Sequence, residues 1–278
     1  MLSFSMPNLP MPTSYLFIDG GNFWKLLDEF SEIFHDGSRL AVDWRAVRSV
    51  HRKVYFYDAV PVQGDGEDDN TYGARIAPKL AELHEIERAD GFHVRSGDVR
   101  HGGRRRGNEQ KMVDVQLAVD ALQMGSRRLF DTAALLTGDL DFKPLLDALV
   151  DLGVDVHLQY PPKVTNDKLI AAADRANGTD PNQIAVWIDK SRVNFELPVP
   201  SHNLKHDMEN YKGLSIKHWT DNHYGECVIV PMDSGSGYKL VTERSPSHPL
   251  THNLEIASSR LKAIEIFADR MYNLQVPE

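Results

Sequence analysis

Strand-like and helix-like segments alternate through the first 175 residues of the chain. Short apolar runs such as Tyr15–Ile18 and Ala133–Leu136 are typical of buried strands, whereas Arg75–Arg88 carries apolar residues every three or four positions, as an amphipathic helix does. Strands that alternate with helices in this way predict a parallel sheet covered by helices on both faces. The predicted fold class of this region is therefore α/β.

The remaining segments of this region follow the same alternation. Further strands are predicted at Lys53–Asp58, Phe92–Val94 and Val154–Leu158, and further helices at Phe23–Phe34, Trp44–Val50, Lys111–Met124, Phe142–Leu152 and Asp167–Arg175.

The sequence pattern changes at about residue 177. A turn-rich segment, Asn177–Asn182, is followed by strand-like Ala185–Ile188, Cys227–Val230 and Tyr238–Thr242 and by a closing helix over Leu254–Tyr272. We therefore predict an N-terminal extension at residues 1–13, an α/β domain at residues 14–176 and a small α+β C-terminal domain at residues 177–278.

Composition and charge limit the class of protein. The 278 residues carry a net charge of −9, which argues against a protein that coats nucleic acid non-specifically but is compatible with local basic contacts. The single cysteine, Cys227, excludes an intrachain disulfide and a CxxC zinc site and is expected to lie in the core. No apolar run reaches roughly 18 residues, and the N-terminus lacks the basic start of a secretory signal, so we expect a cytoplasmic protein with no membrane partner.

Aspartates stand where two of the predicted strands end. Asp19 ends the first strand in the sequence IDGGN, and Asp139 and Asp141 follow a later strand in TGDLDF. Ligands of open parallel sheets bind at the carboxyl ends of the strands, and glycines such as Gly20 and Gly138 let the backbone turn sharply there. The spacing predicts that these three carboxylates meet at one edge of the sheet.

The helix predicted at Lys111–Met124 offers a further carboxylate, from either Asp114 or Asp120. Its predicted core-facing stripe consists of five apolar residues, Met112, Val115, Ala118, Val119 and Leu122. Asp114 lies about 90° from the centre of that stripe and Asp120 about 150° from it, on the solvent side. Asp114 also lies in the first turn, close to the strand ends, so we predict Asp114 as the fourth acid of the site.

Four carboxylates around one point would repel one another unless a cation lay between them. Oxygen ligands of this kind suit Mg²⁺ or Mn²⁺, which can activate water for phosphodiester hydrolysis. The alternative for a single residue is a structural one, because an aspartate between a strand and a helix is also a favoured helix cap. The convergence of four acids at one edge favours the metal site.

Three ordered motifs resemble the NYN domain in its LabA-like bacterial branch: IDGGN at residues 18–22, KMVDVQLAVDAL at 111–122 and LLTGDLDFKPLLDAL at 135–149. The resemblance covers about residues 14–175. It implies a PIN-like nuclease fold and a Mg²⁺- or Mn²⁺-dependent ribonuclease. It also implies that the metal-site acids are Asp19, Asp114, Asp139 and Asp141, supported by Asn22 and Thr137. Asp120 matches a recurrent acid of the motif, but its role stays open.

The segment Arg95–Lys111 is strongly basic in an otherwise acidic chain. It directly precedes the helix that carries Asp114, so its cations are expected to lie over the metal site and to bind the phosphates of a single strand. The predicted substrate-binding residues are Arg100, Arg104, Arg105, Arg106 and Lys111. The alternative is a solvated loop whose charge serves solubility.

Two other enzyme classes require residues that this sequence lacks at the same positions. A phosphatase of the haloacid-dehalogenase type would need a second aspartate where Gly21 stands, and a Toprim site would begin with a glutamate where Asp19 stands. A non-catalytic RNA- or protein-binding module on the same fold remains the alternative. The expected partner is RNA, most simply single-stranded, with DNA left open. A homodimer is the default assembly of a soluble protein, and the C-terminal domain is a candidate contact for a protein partner.

Overall fold

The computed structural model describes residues 12–96, 108–205, 207–233 and 235–278, without the side chains of residues 108–111. The chain divides into two compact units. The first contains residues 1–26 and 42–179, and the second contains residues 27–41 and 180–278. Each unit is built on a sheet of its own.

The first unit contains a six-stranded sheet of β1 (Ser14–Asp19), β2 (Lys53–Asp58), β3 (Phe92–Ser96), β4 (Thr132–Leu136), β5 (Asp155–Tyr160) and β6 (Arg175–Gly178). All neighbours pair in parallel, in the order β3-β2-β1-β4-β5-β6. The chain runs outward from β1 to β3, returns to β4 on the other side of β1, and runs outward again to β6. The carboxyl ends of β1 and β4 therefore form the switch point at which ligands bind in open α/β sheets.

In the described residues, the helices that connect these strands are α1 (Gly20–Phe34), α2 (Trp44–Arg48), α3 (Asp69–Glu87), α4 (Asn108–Ser126), α5 (Lys143–Asp151) and α6 (Asp167–Ile170). α4 and α5 cover one face of the sheet, where Leu117 and Leu146 pack with Phe17 and Tyr57. On the other face, Phe23 of α1 packs against Phe56 of β2 and the ring of Trp44. The predicted α/β class with a helix-covered parallel sheet is confirmed.

α4 faces the sheet with the side opposite to the predicted one. Its buried residues are Val113, Leu117, Asp120 and Ala121, whereas the predicted stripe residues Met112, Val115, Val119 and Leu122 are exposed. Apolar residues occur on both sides of this helix, so periodicity alone does not select the buried side. The buried side is the one whose carboxylate, Asp120, finds hydrogen-bond donors inside the protein.

Three further predicted elements are wrong in type or extent. The predicted helix Asp167–Arg175 ends at Ile170, and Arg175–Gly178 becomes β6, which pairs with the open edge of β5. Ala185–Ile188, predicted as a strand, lies at the end of α7 (Pro181–Val186), which Asp180 caps ahead of a proline in the first turn. The predicted closing helix over Leu254–Tyr272 begins only at Leu261.

The second unit is an α+β unit, as predicted for the C-terminal region. It contains α7, β7 (Val199–Leu204), α8 (Met208–Lys212), β8 (Lys217–Asp221), β9 (Gly225–Pro231), β10 (Tyr238–Thr242), β11 (His252–Ser258) and α9 (Leu261–Tyr272). The strands are antiparallel in the order β7-β11-β10-β9-β8. Phe267 of α9 packs on this sheet, and Cys227 is a buried free thiol in the same core, as predicted.

α1 contributes to both units. Its first turns, through Leu26, belong to the first unit, and the segment Leu27–Ala41 belongs to the second. Within the second unit, Phe30 contacts the ring of Phe195, and Asp36 pairs with Arg260 at 2.9 Å. Through the part of the chain that the structure describes, no helix is both long and apolar enough to cross a membrane.

The orientation of α4 predicts that two substitutions on this helix change the free energy of unfolding by very different amounts. Leu117→Ala should lower the free energy of unfolding by about 2–5 kcal/mol, because Leu117 is 1% exposed and its removal leaves a cavity. Val119→Ala, on the exposed side, should change it by no more than about 0.5 kcal/mol. Urea unfolding of dilute protein measures both. A larger loss for Val119→Ala would contradict the observed orientation.

Candidate active site

Asp19 lies at the switch point of the sheet, held by two hydrogen bonds. The β1–β4 register sets Ile18 opposite Leu136, so Asp19 stands level with Thr137. The Thr137 hydroxyl donates to Asp19 Oδ2 at 3.0 Å, and the Asn22 backbone N–H donates to Asp19 Oδ1 at 3.2 Å. Burial raises the pKa of Asp19, with a smaller contribution from the charge of Asp139, while the two hydrogen bonds act in the opposite direction. A partly buried carboxylate is thus fixed in orientation at the strand end.

Asp139 and Asp141 follow β4 in a tight turn. The Asp139 backbone N–H donates to the Thr137 hydroxyl at 3.2 Å, and Asp139 Oδ1 accepts from the Asp141 N–H at 2.9 Å as the cap of a 3₁₀ turn, Leu140–Phe142. A side chain at Gly138 would place its Cβ 2.8 Å from the Thr165 hydroxyl and 2.9 Å from Pro161, so this position requires glycine. Thr137 therefore links the Asp19 carboxylate to the backbone of Asp139 through one hydroxyl.

Asp114, in an early turn of α4, shares the electrostatic field of the other three acids. Partial burial and the charges of Asp19, Asp139 and Asp141 raise the pKa of Asp114 to about 6. All four predicted acids are therefore close enough to affect one proton equilibrium. The result is an excess of negative charge that a bound cation would relieve.

Asn22 lies beside these acids with an amide oxygen that is buried and, among the described residues, has no hydrogen-bond partner. An unpaired buried acceptor is costly, and such atoms often mark the place of a water or an ion. Its amide nitrogen faces the backbone of Gly138, since a Cβ there would lie 3.3 Å from it. The donor set of carboxylates and one amide oxygen fits a hard divalent cation.

The four acids are not arranged as a closed ligand set. In the residues that the structure describes, no three His, Cys, Asp or Glu side chains converge closely enough to form a metal-binding group. Asp139 and Asp141 are exposed, whereas Asp19 and Asp114 are half-buried.

An open cleft of about 300 Å³ lies next to Asp19 and Asp114. It is also lined by Lys25 and Asp58, two charged residues that the sequence analysis missed. Asp58 ends β2, the strand beside β1, so the same strand-end argument would have found it. Lys25 follows Asn22 by three positions on α1, so helical spacing places both on one face.

Asp58 is compensated by its own partners. It accepts from the Trp24 indole N–H at 2.8 Å and pairs with Lys79 at 2.5 Å, and it is nearly buried. The Lys79 ammonium also lies over the Trp24 ring, 5.1 Å from its centroid. Asp58 therefore fixes the wall of the cleft, because its charge is already neutralised there.

Asp120, predicted on the solvent side, is buried on the sheet side of α4. It accepts from the Tyr57 hydroxyl at 3.1 Å and from the Gln116 side-chain amide at 2.6 Å, and Arg95 lies 3.4 Å away. These contacts anchor α4 to β2 and β3 and explain why an acid is tolerated there. The predicted substrate-binding residues Arg100, Arg104, Arg105 and Arg106 lie outside the described residues, as does the side chain of Lys111.

Comparison with protein families matches the model of the NYN domain to residues 8–177, more than half of the chain. The chain belongs to the NYN domain family. The predicted resemblance to the NYN domain is therefore confirmed at the level of the family, whereas the LabA-like branch stays a prediction. Membership in the family gives the first unit a nuclease-type fold. No curated protein matches the chain.

A solved structure also resembles this NYN protein. It is VPA0982, a protein of unknown function from Vibrio parahaemolyticus, with 19% sequence identity and a TM-score of 0.44. The alignment covers 64% of this chain and 96% of that protein.

The raised pKa of Asp114 predicts a pH-dependent effect of its neutral analogue. A carboxyl whose pKa rises on folding is protonated more readily in the folded chain, so its ionisation above about pH 6 destabilises the metal-free protein. Asp114→Asn should therefore stabilise the NYN domain near pH 7.5, by about 1 kcal/mol after solvent screening, or about 2–4 °C in Tm. The gain should shrink as the pH falls through 6 towards 4, where the wild-type carboxyl also becomes neutral.

Thermal melts in EDTA across this pH range measure the effect. Asp151→Asn, on the exposed end of α5, is the matched control and should show no such pH-dependent gain. A gain for Asp114→Asn that stays constant from pH 7.5 to pH 5 would refute the electrostatic interpretation.

Proposed function

We propose that this NYN protein is a Mg²⁺- or Mn²⁺-dependent endoribonuclease that hydrolyses phosphodiester bonds of single-stranded RNA. The observation that carries the proposal is the shared field of Asp19, Asp114, Asp139 and Asp141 at the switch point of a nuclease-type fold, expressed in the raised pKa of Asp114. Helix capping engages Asp19 and Asp139, which accept backbone N–H groups from the turns that follow them, but it does not account for Asp114, whose pKa is raised by the charges of the other three acids. DNA stays a second candidate substrate, since both nucleic acids offer the same phosphodiester.

The four acids would hold the cation, with the unpaired amide oxygen of Asn22 as a further ligand or as the acceptor of a bound water. A bound divalent cation supplies acidity to water and neutralises charge on the phosphoryl group. Thr137 is the positioning residue of this set, because its hydroxyl holds the Asp19 carboxylate and receives the Asp139 N–H. Its own contact with the substrate is not required for that role.

The cleft beside Asp19 supports a contact with the phosphate backbone. Lys25 is exposed at its rim, and its positive charge acts on Asp19, so its ammonium lies within electrostatic reach of the acids. A phosphate placed between Lys25 and the acids would be neutralised from both sides. Arg100, Arg104, Arg105, Arg106 and Lys111 are proposed to extend this contact along the strand, because they directly precede the body of α4 in the sequence.

A non-catalytic RNA-binding role is the second candidate. The observation that favours it is that no three carboxylates of the described residues stand in metal-ligand geometry. In that case the acids would bind metal weakly or not at all, and the basic stretch alone would give affinity. This candidate requires that the protein binds RNA without cleaving it, and that substitution of the four acids leaves the affinity for RNA unchanged.

Asp139→Asn is expected to abolish cleavage and to preserve the fold. Asparagine can still accept the Asp141 N–H as a cap, so thermal stability should stay close to that of the wild type. Loss of an outer-shell partner already costs about 10–100-fold, so loss of a ligand carboxylate should lower the cleavage rate at least about a hundredfold. Labelled single-stranded RNA is incubated with wild type and variant in Mg²⁺, Mn²⁺ or EDTA.

Two controls make this experiment decisive. Asp147→Asn changes an exposed acid of α5 that pairs with Lys143, and it should cleave like the wild type. Calorimetric titration with Mn²⁺ gives a second readout, in which Asp139→Asn should bind more weakly. Unchanged cleavage and unchanged Mn²⁺ binding in the variant would rule out the proposed site, and RNA binding without cleavage in every metal would support the second candidate.

The basic stretch predicts a salt-dependent contribution to affinity. Replacing Arg104, Arg105 and Arg106 together with alanine should weaken RNA binding and reduce the slope of log K against log salt by up to about 2, roughly 0.7 for each lost contact to a single strand. Arg52→Ala with Arg127→Ala removes positive charge near the amino ends of β2 and β4, away from the acids, and is the control. If the slope of log K against log salt is the same for the triple variant and the wild type, the basic stretch does not contact RNA and its charge serves solubility.

A further inference from the structure

From Met112 to Ser126, the outward side of α4 is an apolar and uncharged surface. Met112, Val115, Val119 and Leu122 are 51%, 61%, 54% and 39% exposed, which is unusual for the solvent side of a helix that covers a sheet. The other exposed positions between Met112 and Ser126 are Gln116, Gln123 and Ser126. The two acids of this segment, Asp114 and Asp120, are turned towards the protein, so between Met112 and Ser126 the outward side carries no charge.

The spacing of these residues is that of a helix-pairing seam. Positions 112, 115, 119, 122 and 126 follow one another at intervals of three, four, three and four residues, the a and d positions of a heptad. On a helix of 3.6 residues per turn they occupy a stripe about 80° wide and about 21 Å long. A narrow stripe of this kind fits a second helix laid along it, because alternate a and d side chains can insert between those of the partner.

We propose that the outward side of α4, formed by Met112, Val115, Val119 and Leu122, is the contact surface of a two-fold symmetric homodimer of this chain. A second copy fits this stripe, because pairing the stripe with itself across a two-fold axis brings no like charges together within Met112–Ser126. Two molecules that each carry a net charge of −9 repel, so a symmetric contact must lie where the acids are absent, and this stripe meets that condition. A partner of opposite charge would have no charged group on this stripe with which to pair.

Val119 lies at the middle of the stripe. In a parallel pair it meets its own copy as an a position, and in an antiparallel pair centred on the stripe it lies at the two-fold axis. Both arrangements place residue 119 against residue 119 of the second copy. A single helix pair covers less than the roughly 800 Å² per partner of a standard interface, so we expect a dissociation constant of about 1–100 µM.

Sedimentation equilibrium of the full chain, over concentrations of about 1–200 µM, tests the proposal together with charge variants of Val119. Val119→Glu and Val119→Lys should each raise the dissociation constant at least about tenfold, because like charges would meet at the axis. An equimolar mixture of the two variants should recover the dimer. Val50→Glu, at an 85% exposed valine of the same unit, should leave the dissociation constant unchanged.

Each outcome decides the proposal. Thermal melts of the variants should match the wild type, because both substitutions are at an exposed helix position. A wild-type protein that stays monomeric throughout the range overturns the proposal. A dimer that Val119→Glu does not weaken, or a mixture that stays monomeric, overturns it as well.

Discussion

Electrostatic repulsion among Asp19, Asp114, Asp139 and Asp141 is the constraint on which the organisation of the first unit depends. Four carboxylates that act on one another oppose folding, so the fold must hold them by other means. Three devices do this. The parallel pairing of β1 with β4 fixes two strand ends side by side, the Thr137 hydroxyl joins their loops, and the aromatic packing of α1 on β2 holds the helix that follows Asp19.

The same edge contains acids with different roles, and their partners distinguish them. Asp58 and Asp120 each pair with a cationic side chain and accept hydrogen bonds, so their negative charge is compensated within the protein. Among the described residues, the charges that act on Asp114 are those of other acids. A carboxylate without compensation beside a cleft is a candidate ligand or base, whereas a compensated one stabilises the wall. The sequence motif contains Asp114 and Asp120 alike, and only the contacts separate them.

The alternation of strands and helices was sufficient to predict the class of the fold and the edge at which Asp19 and Asp139 meet. Both predictions depend on local patterns, namely short apolar runs that end in Asp-Gly or Gly-Asp. The family resemblance added Asn22 and Thr137 as supporting residues, and the structure places both in contact with the Asp19 and Asp139 segment. Whether these residues catalyse a reaction depends on chemistry that no pattern in the chain expresses.

Predictions failed where two local patterns competed and tertiary contacts chose between them. α4 carries an apolar stripe on each side. The buried side is the one on which Asp120 accepts a hydrogen bond from Tyr57 of β2 and lies beside Arg95 of β3. The segment Arg175–Gly178 follows an alanine-rich run that favours a helix, but it forms backbone hydrogen bonds with the open edge of β5 and is therefore a strand. Ala185–Ile188 was too short for its periodicity to distinguish helix from strand.

The division of α1 between the two units bears on how such a chain can change during evolution. Since residues 27–41 belong with residues 180–278, the second unit is discontinuous in sequence and is interrupted by most of the NYN domain. A recombination event at the end of the family segment would transfer the sheet of the second unit without the partners of Phe195 and Arg260. The C-terminal region is therefore not an exchangeable cassette, and replacement of it requires matching changes within the first 41 residues.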